Sequence, residues 1–264
     1  MTVTILVVPA VLGSAADGWF TGRDTTAGPA RAATVGQPGN LAHRRPHLPE
    51  MLAADRARVG RTIGLPVDRW HLMRQVHGRQ VAVVGPSCRP GAELRHVDAM
   101  VTALADRPLV VQAADCVPIL LAGKRSVGVA HAGRRGVHEG VVDAVVSALH
   151  DLGEQPGDLQ VAIGPAIGGC CYEVPAELRD EVGAEQPEAV AATTWGMPSL
   201  DLPAAVQAQL RRAGVRDVSR IETCTRCDPR ARWFSHRADP GSGRQVGIVV
   251  RRSGTDQGAR EVSR

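Results

Sequence analysis

The chain has 264 residues, of which 44% are hydrophobic and 3% aromatic, and its formal net charge is +4. The apolar fraction is enough to build a substantial core without disulfide bonds. So few aromatic rings argue against a surface on which nucleic-acid bases stack. The scattered arginines are typical of a solvated surface, and they would also suit a basic pocket for an anionic substrate such as phosphate.

The six cysteines occur in a chain whose first residues, MTVTILVVPAV, read as a strand rather than a signal peptide. Free thiols are typical of reducing compartments, where they serve as ligands, nucleophiles or core residues. No stretch approaches the roughly 18 apolar residues of a membrane span. We therefore expect a cytoplasmic protein, a monomer or small homo-oligomer, that binds neither membranes nor nucleic acid.

The predicted elements follow one another without a regular strand–helix–strand order. The first half contains a strand at 3–10, a loop at 22–48, a helix ending near Gly64, two strands joined by a turn at His77-Gly78, and a strand at 109–113. The second half contains a hairpin at 115–133, a helix at 136–153, a strand running into a glycine-rich turn at 159–174, helices at 175–184 and 202–215, and a strand at 244–252. No repeat or linker divides the chain, so we expect one α+β domain at residues 1–252 and a disordered tail at 253–264.

The hairpin DCVPILLAGKRSVGVAHAG sets a cysteine ahead of one apolar run and a histidine at the end of the next. If Gly123-Lys124 is a two-residue turn, Cys116 and His131 lie directly opposite each other. Opposed residues have Cβ atoms about 4.5–5.5 Å apart, close enough to share a metal ion. Pro118 complicates this pairing, because a proline inside a strand favours an edge or a bulge.

His77, in the motif RQVHG, is the third candidate ligand beside Cys116 and His131. Two histidines and one cysteine would form a three-ligand zinc site with an open fourth position, as catalytic zinc requires. In that arrangement Asp115 would orient a ligand histidine. The same residues also permit a Cys116 nucleophile activated by His131, or an ordinary buried core without chemistry.

Two other cysteine motifs carry weaker signals. The segment IGPAIGGCCYEV contains the adjacent Cys170 and Cys171, and it is interpreted as a structural turn rather than an anion cradle. Cys224-x-x-Cys227 lacks the two further ligands of a closed zinc site, which favours coincidence. Arg237 follows His236 in a basic loop that is either solvated or able to hold phosphate.

The motifs RQVHG, ADCVPILL, VAHAGRRG, IGPAIGGCCYEV, DLPAAVQAQL and FSHRADPGSGRQ occur in the order expected of one family. Over about residues 20–250 the chain resembles the laccase-domain, or YfiH-like, proteins. These were once labelled multicopper polyphenol oxidases and are now regarded as purine nucleoside phosphorylases. The resemblance implies mixed β-sheets layered as a sandwich with surrounding helices. It also implies zinc, with copper less favoured, held by His77, Cys116 and His131.

The activity implied by this resemblance is phosphorolysis of adenosine, inosine and 5′-methylthioadenosine, with adenosine deamination as an accompanying reaction. Arg23, in FTGR, matches an arginine of the family, and Arg23 and Arg237 are the expected contacts to phosphate or substrate. Three alternatives stay open: a metal-independent cysteine hydrolase acting on an amide or cell-wall precursor, a copper-dependent phenol oxidase, and a non-catalytic nucleoside-binding protein.

The sequence departs from the family pattern at three places. Arg134 replaces the tryptophan of HAGWRG, so a cation stands where an aromatic face is usual. The glycine-rich segment expected after the Arg23 motif reads DTTAGPA, and Asp55 replaces an asparagine. These changes leave the three candidate metal ligands intact and bear on substrate identity.

Overall fold

The structure is a computed structural model, and it describes residues 3–24, 38–42 and 47–253. Most of the loop predicted at 22–48 lies outside these ranges, as does DTTAGPA after its aspartate. The tail predicted from Ser253 onward likewise lies outside the described residues, apart from Ser253 itself.

The described residues form both helices and strands, as expected for an α+β protein. The helices are α1 Pro49–Ile63, α2 Arg134–Glu139, α3 Val141–Asp151, α4 Ala176–Glu185 and α5 Leu202–Arg212. The strands are β1 Ile5–Pro9, β2 Ala16–Asp24, β3 Leu72–Arg74, β4 Val81–Val83, β5 Glu93–Arg95, β6 Ala99–Thr102, β7 Leu109–Ala113, β8 Val117–Ala122, β9 Val127–Ala132, β10 Gln160–Ile163, β11 Val190–Ala192, β12 Pro198–Leu200, β13 Asp217–Arg220 and β14 Gln245–Arg251.

Two large sheets carry the fold. One is antiparallel, with the order β1-β2-β14-β7. The other is mixed, with the order β13-β10-β8-β9-β6-β4, in which the β13/β10 and β6/β4 pairs are parallel. Smaller pairs join β11 to β12 and β3 to β5. The expected mixed sheets, layered as a sandwich with surrounding helices, are confirmed.

The β-strand alternation of side chains builds the layers. Leu120 and Val129 of the mixed sheet pack against Phe20 of the antiparallel sheet in the sandwich interior. Their neighbours Ile119 and Ala130 face the opposite way, into a core shared with α3 and α5. On the far side of the antiparallel sheet, α1 covers a third apolar cluster. The layers therefore run helix, sheet, sheet, helix.

The hairpin that carries Cys116 and His131 has a different register from the one predicted. The Gly123 N–H donates to the Ser126 carbonyl at 2.9 Å, so the turn is one residue later than expected. His131 accordingly lies opposite Pro118, and the direct pairing of Cys116 with His131 is wrong. The partner changes by two residues, however, and a two-residue shift keeps both side chains on the same face.

Buried Glu154 explains the turn position. Its carboxylate accepts hydrogen bonds from the backbone N–H groups of Lys124, Arg125 and Ser126 at 2.7–3.0 Å, and from the Ser126 hydroxyl at 3.0 Å. Glu154 itself is 3% exposed. A residue about thirty positions away along the chain therefore selects the turn, which the local sequence alone does not reveal.

Three other features of the fold differ from the sequence predictions, because of long-range or backbone effects. The helix predicted at 136–153 is two helices, because Gly140, with φ +85°, ends α2 and begins α3. The two strands around His77 do not form a hairpin, since β3 pairs with β5 and β4 pairs with β6. The connection between β3 and β4 therefore passes from one sheet to another, and it carries His77. Residues 16–24, where no strand was predicted, form β2 between β1 and β14.

Within the described residues, the helices are all too short or too polar to traverse a lipid bilayer.

Replacing Glu154 with alanine is expected to lower the free energy of unfolding by about 3 kcal/mol, because it leaves buried Ser126 donors without an acceptor. Urea unfolding followed by circular dichroism measures this change. Glu181→Ala, on an exposed face of α4, is the control and should leave stability within about 0.5 kcal/mol. Equal stability of the two variants would show that Glu154 does not hold the turn.

Candidate active site and metal centre

Three side chains from separate parts of the chain meet at one place in the structure. His131 lies near the end of β9, Cys116 directly precedes β8, and His77 lies in the connection from β3 to β4. Their potential ligand atoms are all within 4.8 Å of one another. The two imidazole rings are 4.8 Å apart between centroids and are nearly perpendicular, at 73°. The structure therefore brings together the three side chains that the sequence selected.

Asp98, a residue that the sequence analysis did not single out, positions two of the three. Its carboxylate accepts a hydrogen bond from Nδ1 of His131 at 2.9 Å. It also accepts from the backbone N–H groups of Val76, His77 and Gly78, the last two at 2.9 and 2.8 Å. Since an ionised carboxylate only accepts, Nδ1 of His131 must carry the proton, and Nε2 is left to face the cluster.

The sequence predicted a different orienting residue, Asp115. Its carboxylate accepts hydrogen bonds from the Thr225 hydroxyl and from the backbone N–H of Arg237, both at 2.6 Å. It therefore orders the loop that carries Arg237, while Asp98 orients His131. The signal for Asp98 in the sequence was its place directly before the apolar strand AMVT, which becomes the neighbour of the His131 strand.

The backbone around the cluster is shaped for these side chains. His77 has φ +61°, in the left-handed region that a non-glycine residue adopts only at a cost. The hydrogen bonds from this turn to Asp98 offset that cost. Across the cluster, a Cβ at Gly133 would lie 2.6 Å from the His77 ring and 3.1 Å from the Cys116 sulfur. The missing side chain at Gly133 is therefore what leaves room for both.

The electrostatics of the cluster favour an ionised thiol. Burial by itself raises the pKa of the Cys116 thiol, but the charges and hydrogen bonds of His131 and His77 outweigh burial and lower that pKa to about 6. Burial lowers the pKa of His131, whereas the Cys116 thiolate and Asp98 raise it, to about 9. At neutral pH the pair is a thiolate beside an imidazolium, unless a cation takes the place of the proton.

The cluster opens into a cavity of about 600 Å³ with a basic wall. This volume is in the range of small-molecule sites. The side chains that line it include four arginines, one tyrosine, one carboxylate and several apolar residues: Arg134, Arg135, Arg237, Arg244, Tyr172, Asp115, Met73, Ile167 and Leu202. Excess positive charge in a concave site attracts anions.

The two arginines expected to contact substrate lie in different places. Arg237 lines the cavity, where its guanidinium lies 5.1 Å from the centre of the Tyr172 ring and donates to the Glu173 carbonyl at 2.9 Å. Arg23 is in β2, stacked 5.4 Å from the centre of the Phe234 ring, and it is not among the residues lining this cavity in the described part of the chain. The role of Arg23 stays a prediction.

The donor set suits a transition metal. Two imidazole nitrogens and a thiolate match the three-ligand pattern of catalytic zinc sites, and the same soft thiolate also suits copper. The Asp98 contact holds a proton on Nδ1 of His131, so Nε2 is the nitrogen that a metal ion would take in place of a proton, and the space at Gly133 also fits a metal ion. The cluster is thus a candidate metal centre on the wall of a basic cavity.

Comparison with known proteins places the chain in a family. Residues 21–252 match the sequence profile described as multi-copper polyphenol oxidoreductase laccase. A Streptomyces coelicolor protein named purine nucleoside phosphorylase is 45% identical over 205 residues, covering 76% of this chain and 83% of that protein. The crystal structure of YlmD from Geobacillus stearothermophilus is similar with a TM-score of 0.79 and 31% identity, covering 90% of this chain and 93% of that chain.

The structure of Bacillus licheniformis YfiH has the same fold, with a TM-score of 0.78 at 24% identity, over 90% of this chain and 93% of that chain. The profile match spans nearly all of the described residues, and it includes every side chain of the cluster. The motifs in the sequence, the layered fold and these similarities agree. The chain belongs to the laccase-domain, or YfiH-like, family.

Proposed function

We propose that the protein is a zinc-dependent purine nucleoside phosphorylase that cleaves adenosine, inosine or 5′-methylthioadenosine with phosphate, and that it also deaminates adenosine. The observation that carries this proposal is the His77, Cys116 and His131 cluster on the wall of a basic cavity. The name of the Streptomyces coelicolor relative supports the general activity.

Phosphorolysis requires an anion and a nucleoside in one cavity. A phosphate oxygen bonds to C1′ of the sugar as the bond from C1′ to the purine nitrogen breaks, and the purine leaves with the bonding electrons and takes up a proton. The transition state carries positive charge on the sugar, which the phosphate stabilises. The protein must therefore hold phosphate and favour negative charge on the purine.

Arg237 is the residue that we assign to phosphate. The Glu173 carbonyl and the Tyr172 ring hold its guanidinium, while Asp115 fixes its backbone N–H. A guanidinium fixed in this way loses little freedom when it binds an anion, and it can donate two parallel hydrogen bonds. Binding of phosphate by Arg237 would thus cost little reorganisation.

Arg134, which replaces the family tryptophan, adds a second cation on the same side. It lines the cavity, and its positive charge acts on the hydroxyl of Tyr172, the ring on which Arg237 stacks. Two guanidinium groups beside one tyrosine favour the binding of an anion there. The replacement of tryptophan by Arg134 also removes an aromatic face on which a purine would stack. Among the described residues of the cavity wall, Tyr172 is the aromatic side chain other than histidine, and one face of its ring carries Arg237.

The residues that would hold zinc are His77, Cys116 and His131. When bound, zinc would supply a Lewis acid that stabilises developing negative charge. Several coppers would require further clustered histidines, and the other metal-binding cluster within the described ranges contains only cysteines. The donor set therefore favours one metal ion at this site.

We expect the zinc-loaded protein to convert each of the three nucleosides to free base and sugar phosphate only when phosphate is present. Inosine formed from adenosine without phosphate would measure deamination. Chromatography of the products and metal analysis of the same sample check both. If fully loaded protein yields no product from any of the nucleosides, the proposed activity is wrong.

In the Cys116→Ala variant, zinc at the His77, Cys116 and His131 centre and turnover are expected to be lost together, while Cys88→Ala, outside the cluster, keeps both. If the Cys116→Ala variant keeps zinc at this centre and its turnover rate is unchanged, Cys116 is not part of the site. Turnover that survives removal of the metal by a chelator, together with covalent trapping of Cys116, would favour the cysteine-hydrolase alternative. The lowered pKa of the Cys116 thiol is consistent with that alternative.

Asp98→Asn tests positioning rather than chemistry. The amide has no charge to hold the three backbone N–H groups, and it permits the other tautomer of His131. We expect zinc affinity, measured by competition with a chelator, to fall about 10–100-fold. At saturating zinc, kcat should fall more than KM for the nucleoside changes. Asp143→Asn, on an exposed position of α3, should match the wild type. Unchanged zinc affinity in Asp98→Asn would contradict this role.

Arg237→Met is expected to raise KM for phosphate about tenfold or more, because hydrogen bonds to charged groups contribute about 1.5–3 kcal/mol. Zinc content should stay constant, since Arg237 does not contact the cluster. Arg23→Met, tested in parallel, measures the role predicted for the other arginine. If KM for phosphate is unchanged in Arg237→Met, phosphate binds elsewhere.

A further inference from the structure

Two cysteine pairs that are far apart in the sequence meet in the fold. The sequence favoured coincidence for Cys224-x-x-Cys227 because two further ligands were missing. The structure supplies them: the sulfur atoms of Cys170, Cys171, Cys224 and Cys227 all lie within 4.8 Å of one another. We call these four residues the cysteine cluster.

The sheet topology brings the pairs together. Cys170 and Cys171 are in the glycine-rich loop after β10, and Cys224 and Cys227 are in the loop after β13. Because β10 and β13 are parallel neighbours, both loops leave the same end of the sheet. The bridge between Ala166 and Cys224 continues that pairing beyond the strands, with a 3.0 Å hydrogen bond from the Thr225 N–H to the Ala166 carbonyl.

The backbone is arranged to stabilise a thiolate at Cys224. The Gly168 N–H, from the opposite loop, donates to the Cys224 sulfur at 3.3 Å. Amides directed at a sulfur favour its anionic form, which is the form that binds a metal. This observation is independent of the spacing of the four sulfurs.

We propose that Cys170, Cys171, Cys224 and Cys227 bind one Zn²⁺ as a closed four-thiolate structural site, separate from the His77, Cys116 and His131 centre. With Zn–S bonds of about 2.3 Å, tetrahedral geometry separates the sulfurs by about 3.8 Å. The Cys170 and Cys227 sulfurs are 3.7 Å apart. A disulfide would need about 2.05 Å.

This second site would brace the wall of the basic cavity. Tyr172 directly follows Cys171, and Thr225, between Cys224 and Cys227, donates to Asp115, which in turn fixes the backbone of Arg237. Zinc would hold both loops against each other, and the residues they position face the cavity. The effect on substrate binding rests on the proposed function, whereas the metal site itself does not.

Metal analysis of variants tests the proposal. We expect two zinc ions per wild-type chain, one in Cys227→Ser, one in Cys116→Ser and none in the double variant. Cys88→Ser is the matched control, because its sulfur lies outside both clusters, and it should keep two. Cys227 is exposed, so its substitution disturbs little packing.

Cobalt substitution gives a readout that does not depend on the folding of a variant. In the wild type, replacement of zinc by Co²⁺ should produce the strong thiolate-to-cobalt absorption of a four-sulfur tetrahedral site, and this absorption should persist in Cys116→Ser. One zinc in the wild type that is retained in Cys227→Ser would overturn the proposal. A Cys170–Cys227 disulfide, seen as a loss of two hydrogens in the intact mass, would also overturn it. Absence of turnover with two zinc ions bound would instead count against the proposed function alone.

Discussion

One buried carboxylate, Asp98, holds the candidate active site together. It is fully buried, and such burial by itself raises the pKa of a carboxyl group. Hydrogen bonds from His131 and from the turn at residues 76–78 outweigh burial and lower the pKa of Asp98. The same contacts join three parts of the chain: the start of β6, the end of β9 and the connection from β3 to β4. The hydrogen bonds that offset the cost of desolvating the Asp98 carboxylate are therefore the same ones that place two imidazoles beside the Cys116 thiol.

The sequence predicted the parts of the structure that depend on local pattern. Strand alternation in the hairpin and the ordered motifs were enough to select His77, Cys116 and His131 and to name the family. Features fixed by distant partners were missed or misplaced: Glu154 sets the hairpin turn, and Asp98 orients His131. The four cysteines were not recognised as one metal site for the same reason, because the parallel pairing of β10 with β13 brings them together. Gly140 was a local signal that the apolar stripe of the predicted helix concealed.

Two descriptions found in this family imply different chemistry. The sequence profile is described as a multi-copper polyphenol oxidoreductase, whereas the Streptomyces coelicolor relative is named a purine nucleoside phosphorylase. The structure bears on this difference through the surroundings of the metal ligands. A cavity walled by arginines, one of which stacks on a tyrosine ring, is suited to an anionic co-substrate. A phenol offers such a wall no negative charge until it ionises. Arg134, at the position of the family tryptophan, adds a further positive charge to this wall.

The alternation of side chains along the hairpin strands limits which insertions and deletions would keep the metal ligands in place. Cys116 and His131 share the face that looks into the sandwich, while their immediate neighbours look toward α3 and α5. Deleting or inserting a single residue within β9 would rotate the imidazole out of the site and place an aliphatic side chain there. Changes of two residues preserve the orientation, as the actual register shows. Insertions of even length within the strand, or of any length in the turn at residues 124–125, would leave the orientation of His131 unchanged, so metal binding constrains the number of residues between the turn and His131 rather than the total length of the hairpin.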